Sequence, residues 1–144
     1  MITRILMLFA CVAASLCCKC RTLPPKEAYC RAQWVSLAKV TNSVIDESKD
    51  PLEQRQYAVK HNKLFKKPSG CESLPEKIYT STQSASCGVE LETGKEYLLT
   101  GSYNDNKLNI ITCGQIASES YPGIIMERKD ISREFLNEIR GYKC

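Results

Sequence analysis

Nine cysteines in 144 residues, most of them far apart in the chain, constrain what this sequence can fold into more than any other feature. Seven of them follow residue 17: Cys18, Cys20, Cys30, Cys71, Cys87, Cys113 and Cys144. Three are bunched at the N-terminal end of that stretch and four are spread over the rest. In an exported chain such cysteines read as disulfides, and this distribution requires bridges from the N-terminal segment to distant parts of the fold. Each long closed loop stabilises by about 2–4 kcal/mol, mainly through the unfolded chain. Six cysteines pair and one is left over; spacing does not say which. Zinc binding is the competing reading, but no C-x-x-C pair occurs and His61 is the only histidine, so no familiar ligand set is assembled.

Export is what the first seventeen residues predict. Arg4 precedes an apolar run over 5–14, followed by small residues at Ser15 and Cys17. That is the layout of a secretory signal peptide. A membrane span needs roughly 20 apolar residues, so a retained anchor is the weaker alternative. Small side chains one and three residues before the cut are met by Ser15 with Cys17, which leaves Cys18 as the new first residue. They are also met by Ala13 with Ser15, which leaves Leu16 and Cys17 ahead of it. The expected organisation is a leader over 1–17 and one domain over 18–144, long enough for a single core.

Charge excludes little. Of the 20 Lys and Arg, Arg4 leaves with the leader, and the remaining 19 face 16 Asp and Glu, a net +3 too mild to argue for nucleic acid or a membrane surface. A monomer is expected.

Five stretches rich in branched and aromatic residues, 34–40, 56–65, 77–82, 96–103 and 107–113, read as strands. Asn104-Asp105-Asn106 tolerates left-handed backbone and predicts a hairpin between the last two. Residues 41–53, polar and acidic with Pro51, read as a long exposed loop. A short helix is expected after Pro25, over 26–33. A second is expected near the end, capped by Asp130, with Ile131, Phe135, Leu136 and Ile139 on one face and Gly141 as its stop. The fold class is mainly β with flanking helices, a five-stranded barrel stapled by disulfides.

The run Cys18-Lys19-Cys20-Arg21-Thr22-Leu23-Pro24-Pro25, with Cys30 ten residues after Cys20, resembles the N-terminus of the tissue inhibitors of metalloproteinases. Trp34-Val35-Ser36-Leu37-Ala38-Lys39-Val40 is similar to that family's first strand. Ile78-Tyr79-Thr80 leads into Ser84-Ala85-Ser86-Cys87-Gly88-Val89 as it does there. Glu96-Tyr97-Leu98-Leu99-Thr100-Gly101 and Leu108-Asn109-Ile110-Ile111-Thr112-Cys113 extend the likeness over nearly the whole of 18–144. The resemblance implies an OB-fold-like barrel of the netrin-like type, with bridges Cys18–Cys87, Cys20–Cys113 and Cys30–Cys144, and Cys71 unpaired unless Cys17 survives to join it.

It also implies a function: a secreted inhibitor of zinc metalloproteinases, matrix-type or adamalysin-like, that chelates the enzyme's catalytic zinc through the α-amino and carbonyl groups of Cys18. No cofactor of its own is implied. The enzyme would be contacted by Lys19, Cys20, Arg21, Thr22, Ser84, Ala85, Ser86, Cys87 and Gly88. Where the family usually has Thr or Ser, pointing into the enzyme's specificity pocket, this chain has Lys19. An ammonium in an apolar pocket costs several kcal/mol unless its head snorkels out or meets an acid. The sequence ends at Cys144, so the second, smaller domain of many members is expected to be absent.

Two further readings compete. A netrin-like module that binds an extracellular protein or glycan and inhibits nothing is the main alternative. Lys60, Lys63, Lys66 and Lys67 with His61 form a basic stretch suited to sulfated glycans. Catalysis is disfavoured, because His61, in a basic segment expected to be exposed, has no triad partner suggested by motif.

Overall fold

The computed structural model describes residues 18–46 and 54–144; the leader and its two alternative cuts lie outside them. Five strands, β1 (Trp34–Asp46), β2 (Gln54–Lys66), β3 (Lys77–Ser81), β4 (Glu96–Asn104) and β5 (Lys107–Asn109), close a barrel in the order β1-β2-β3-β5-β4. Among the described strands only the β3–β5 pairing is parallel. Helix α1 (Pro25–Arg31) precedes the barrel and α2 (Arg133–Arg140) follows it.

Two-residue periodicity divides the strands between two cores. Trp34, Ala38 and Val40 of β1 point into the barrel with Tyr57, Ile78, Leu99 and Leu108. The intervening Val35 and Leu37, with Leu98 of β4, point outward and are covered by Ala28 of α1 and by Phe135, Leu136 and Ile139 of α2. Both faces of β1 are therefore buried, and Trp34, Val35, Ser36, Leu37 and Ala38 form an unbroken inaccessible run. Burying a side chain of this kind contributes about 1.5–3 kcal/mol. The aromatic side chains that carry polar groups into the core are matched: the Tyr57 hydroxyl donates to Val89 O (3.0 Å) and accepts from Leu91 N (2.9 Å), and Trp34 Nε1 donates to Ser102 O (3.0 Å).

Several boundaries differ from the sequence reading. Residues 41–46, expected in a loop, continue β1; Thr41 lies in a bulge between Val40 and Asn42, and 42–46 pair with Ala58 back to Gln54. Thr41 to Ile45 are exposed, so no apolar alternation marks them as strand. The rest of the expected loop, 47–53, lies outside the described residues. β5 ends at Asn109: Ile110 N makes the last bond to β3, donating to Tyr79 O (3.0 Å), and beyond it Thr112 N turns to Cys87 O (2.9 Å), off the ladder. The hairpin link narrows to Asp105 and Asn106, both left-handed with φ 51° and 60°, as a two-residue turn of type I′ requires.

Helix α2 is capped by Ser132, whose Oγ accepts from Phe135 N (3.1 Å); Asp130, the expected cap, sits in a 3-10 turn two residues earlier. Gly141 ends the helix in right-handed backbone, φ −85°. The two helices are tied together by the Cys30–Cys144 bridge and by Tyr29 and Tyr142, edge to face at 5.5 Å. Burial, and then donation to the Glu138 carboxylate (2.9 Å), hold the Tyr142 phenol well above the usual range.

Candidate functional site

Cys18 to Pro24 adopts no regular structure, and a free chain end of that kind would fray. Here it is pinned twice. Cys18 is bridged to Cys87 and Cys20 to Cys113, with Cα–Cα separations of 5.0 and 5.1 Å, inside the range a disulfide spans without moving backbone.

Each receiving loop is itself rigid. After β3 the chain makes a 3-10 turn, Ser84–Ser86, which Cys87 terminates in left-handed backbone at φ 60°. Gln83 O accepts from Ser86 N (3.2 Å) and Gly88 N (3.1 Å), and Ser84 O accepts from Cys87 N (3.0 Å). Gly88 lies against the Ser81 and Gln83 carbonyls, and a Cβ there would run into the Ser81 oxygen. The second loop is clamped by Gln115, which sequence reasoning missed. Its Oε1 accepts from Thr100 N (3.1 Å), and its Nε2 donates to Thr100 O (2.9 Å) and Ile111 O (2.7 Å). Nothing in the local pattern distinguishes this glutamine from a surface residue. The Thr112 N to Cys87 O bond joins the two loops directly.

Of the candidate contact residues, Lys19, Cys20, Arg21, Thr22, Ser84, Ala85 and Ser86 are exposed, while Cys18, Cys87 and Gly88 are half-buried where the two stretches meet. The structure thus brings both candidate segments onto one exposed surface with the Cys18–Cys87 bridge at its centre. Lys19 and Arg21 are the charged residues among these candidates. Beside the terminal segment runs a groove of about 540 Å³, lined in part by Thr22, Pro24, Thr112, Tyr121 and the exposed Ile124.

The bridges stack. Sγ of Cys113 lies 3.7 Å from Sγ of Cys18 and 3.7 Å from Sγ of Cys87, and Cys18 and Cys20 sulfurs are 3.8 Å apart. All four sulfurs fall within 4.8 Å of one another. As disulfides they carry no thiolate, the form a metal requires, so in this state they are cross-links and not ligands. Cys71 is buried and has no disulfide partner among the described residues; its Sγ–H donates to Ser73 O (3.0 Å).

Two lysines of the basic stretch are engaged with backbone carbonyls. Lys66 Nζ donates to Tyr29 O (3.1 Å) and Cys30 O (3.3 Å), satisfying carbonyls at the end of α1, and Lys67 Nζ donates to Glu72 O (3.1 Å). His61, expected exposed, is half-buried: Nε2 faces Pro75 O at 2.8 Å and so carries the proton, leaving Nδ1 to accept from the Ser36 hydroxyl at 2.8 Å. It is a structural tie between β1, β2 and the 73–76 segment.

A closed barrel with its N-terminal segment stapled beside an exposed turn defines a netrin-like domain. The family model described as "Tissue inhibitor of metalloproteinase" matches residues 16–135. The Caenorhabditis elegans protein named "Putative metalloproteinase inhibitor tag-225" is 33% identical over 144 aligned residues, covering 92% of this chain and 91% of that protein. Metalloproteinase inhibitor 2 of Homo sapiens is 39% identical over 104 residues, covering 67% of this chain and 46% of that protein. That of Gallus gallus is 38% identical over 109 residues, covering 70% and 48%. The chain therefore belongs to the tissue inhibitor of metalloproteinase family, and it spans about half the length of these two vertebrate relatives.

Proposed function

We propose that the protein is a secreted inhibitor of zinc metalloproteinases, of the matrix or adamalysin-like type, and that after leader removal the new N-terminus at Cys18 chelates the enzyme's catalytic zinc. The α-amino nitrogen and carbonyl oxygen of one residue close a five-membered chelate. A catalytic zinc keeps coordination positions open for water and substrate, and such a chelate takes them. An α-amino group has an ordinary pKa of about 7.7–8.0, so the neutral donor is accessible near physiological pH. Lys19, Cys20, Arg21 and Thr22 would follow the enzyme's primed side, and residues 84–88 would lie on the other side of the metal.

The observation that carries this reading is the double anchorage of residues 18–20. With Cys18 and Cys20 each bonded to a rigid loop, little conformational entropy remains to be lost on binding, and that preorganisation is the source of affinity. The inhibitory role of relatives named for it supports the same reading.

The test is a matched pair: protein beginning at Cys18, and protein with one alanine added before it, assayed against a panel of zinc proteases. The extension moves the free amine off Cys18 and turns its nitrogen into an amide. We expect inhibition to fall by at least about a hundredfold, the equivalent of roughly 2.7 kcal/mol. Equal inhibition by both proteins refutes the chelate.

A further inference from the structure

The four stacked sulfurs have a second use. We propose that when the Cys18–Cys87 and Cys20–Cys113 bridges are reduced, Cys18, Cys20, Cys87 and Cys113 form a tetrahedral thiolate site for zinc. This goes beyond the inhibitory reading and does not depend on it, since it requires neither a protease nor a free amine at Cys18.

The geometry is the first argument. A tetrahedral zinc with Zn–S of about 2.3 Å has S···S edges of about 3.8 Å. Three edges between sulfurs that are not bonded to each other already measure 3.7, 3.7 and 3.8 Å, and all four sulfurs lie within 4.8 Å. Breaking the two S–S bonds lengthens the two remaining short edges toward the same value and creates the central space the ion occupies.

Retention of shape is the second argument. Cys87 and Cys113 are placed by hydrogen bonds that survive reduction: Thr112 N to Cys87 O, Cys87 N to Ser84 O, and the Gln115 clamp from Thr100 to Ile111. Two ligands therefore stay prepositioned on the barrel, and Cys18 and Cys20 close from the tethered segment. A four-thiolate zinc centre carries two net negative charges, which Lys19 and Arg21 on that segment oppose.

The chemistry balances with a dithiol as reductant. Each bridge takes two electrons and two protons from one dithiol, which closes into its own disulfide. Zn²⁺ then displaces one proton from each of the four cysteine thiols to solvent. Soft thiolates in a tetrahedron select zinc over harder divalent ions.

Protein beginning at Cys18 would be reduced with excess dithiol, freed of it anaerobically and titrated with cobalt(II), then zinc, with folding followed by circular dichroism. One cobalt per chain is expected, with the intense visible absorption of a tetrahedral four-thiolate ion, bleached by zinc. In the zinc form, alkylation at Cys18, Cys20, Cys87 and Cys113 should slow by about tenfold or more relative to Cys30 and Cys144. The double variant C30S/C144S should keep the spectrum, and C87S should shift it to that of fewer thiolates. Equal alkylation at all six cysteines, loss of the metal in C30S/C144S, or a reduced chain that zinc does not hold folded would each overturn the proposal.

Discussion

Lys19 stands exposed between two anchored half-cystines, so its backbone is fixed and only its side chain can adapt to a partner. On the proposed docking mode that side chain meets the enzyme's specificity pocket. Burying its ammonium there costs several kcal/mol unless an acid or water reaches it. Lys19→Thr is therefore expected to tighten inhibition of a protease with an apolar pocket roughly tenfold to a hundredfold, and to weaken it toward a protease whose pocket is acidic. Inhibition constants against one enzyme of each kind check this; no change toward either enzyme would remove Lys19 from the pocket. Gly88 limits the neighbouring loop differently. A Cβ would strike the Ser81 carbonyl, and backbone cannot step aside as a flexible side chain does. Gly88→Ala should destabilise by about 1–3 kcal/mol in denaturant unfolding, with an unchanged midpoint as the contrary result.

At the level of elements, the terminal helix shows what a pattern can and cannot reveal. Ile131, Phe135, Leu136 and Ile139 are all buried, as their spacing predicts, because an amphipathic stripe is a direct record of which side meets the core. The cap is less legible: Asp130 and Ser132 are both good capping residues, and only the 3-10 turn over Arg128–Asp130 decides that Ser132 holds the position. Ser132→Ala should thus cost about 1 kcal/mol and Asp130→Ala close to none, measured as two shifts in unfolding midpoint; the reverse order would return the cap to Asp130. The five strands were legible for the same reason as the helix stripe, since Trp34, Tyr57, Ile78, Leu99 and Leu108 have to fill one interior. Where a strand buries neither face, as β1 does over Thr41 to Ile45, hydropathy carries no signal and the sequence reads as loop. Gln115 was invisible for a related reason: its role lies in three backbone groups of Thr100 and Ile111 that only the folded chain brings to it. His61 was misplaced because a basic neighbourhood in sequence says nothing about the Ser36 hydroxyl and Pro75 carbonyl waiting on either side.

Over the whole molecule, the barrel and the staples divide the work. Neither hydrophobic cluster draws on residues 18–22, so the terminal segment is tied to the fold through its two bridges and not through the core. The energetics of the two staples are coupled. Cys20 and Cys113 are 93 residues apart, but once Cys18 is joined to Cys87 the shorter path runs two residues from Cys20 to Cys18 and 26 from Cys87 to Cys113. A loop of that effective length corresponds to about 3–4 kcal/mol in the chain-entropy model, less than its separation in sequence suggests. The double variant C20A/C113A should therefore unfold cooperatively with stability lowered by no more than that amount. Its inhibition should fall much further than its folded fraction, because Lys19 to Thr22 would then hang from Cys18 alone and would have to be ordered on binding, at about 1–2 kcal/mol for each residue fixed. Folding measured by denaturant titration and inhibition measured on the same preparation separate the two effects. Unchanged inhibition by a folded C20A/C113A protein would show that a single bridge is enough to hold the terminus in place, and that preorganisation by the second contributes nothing to affinity.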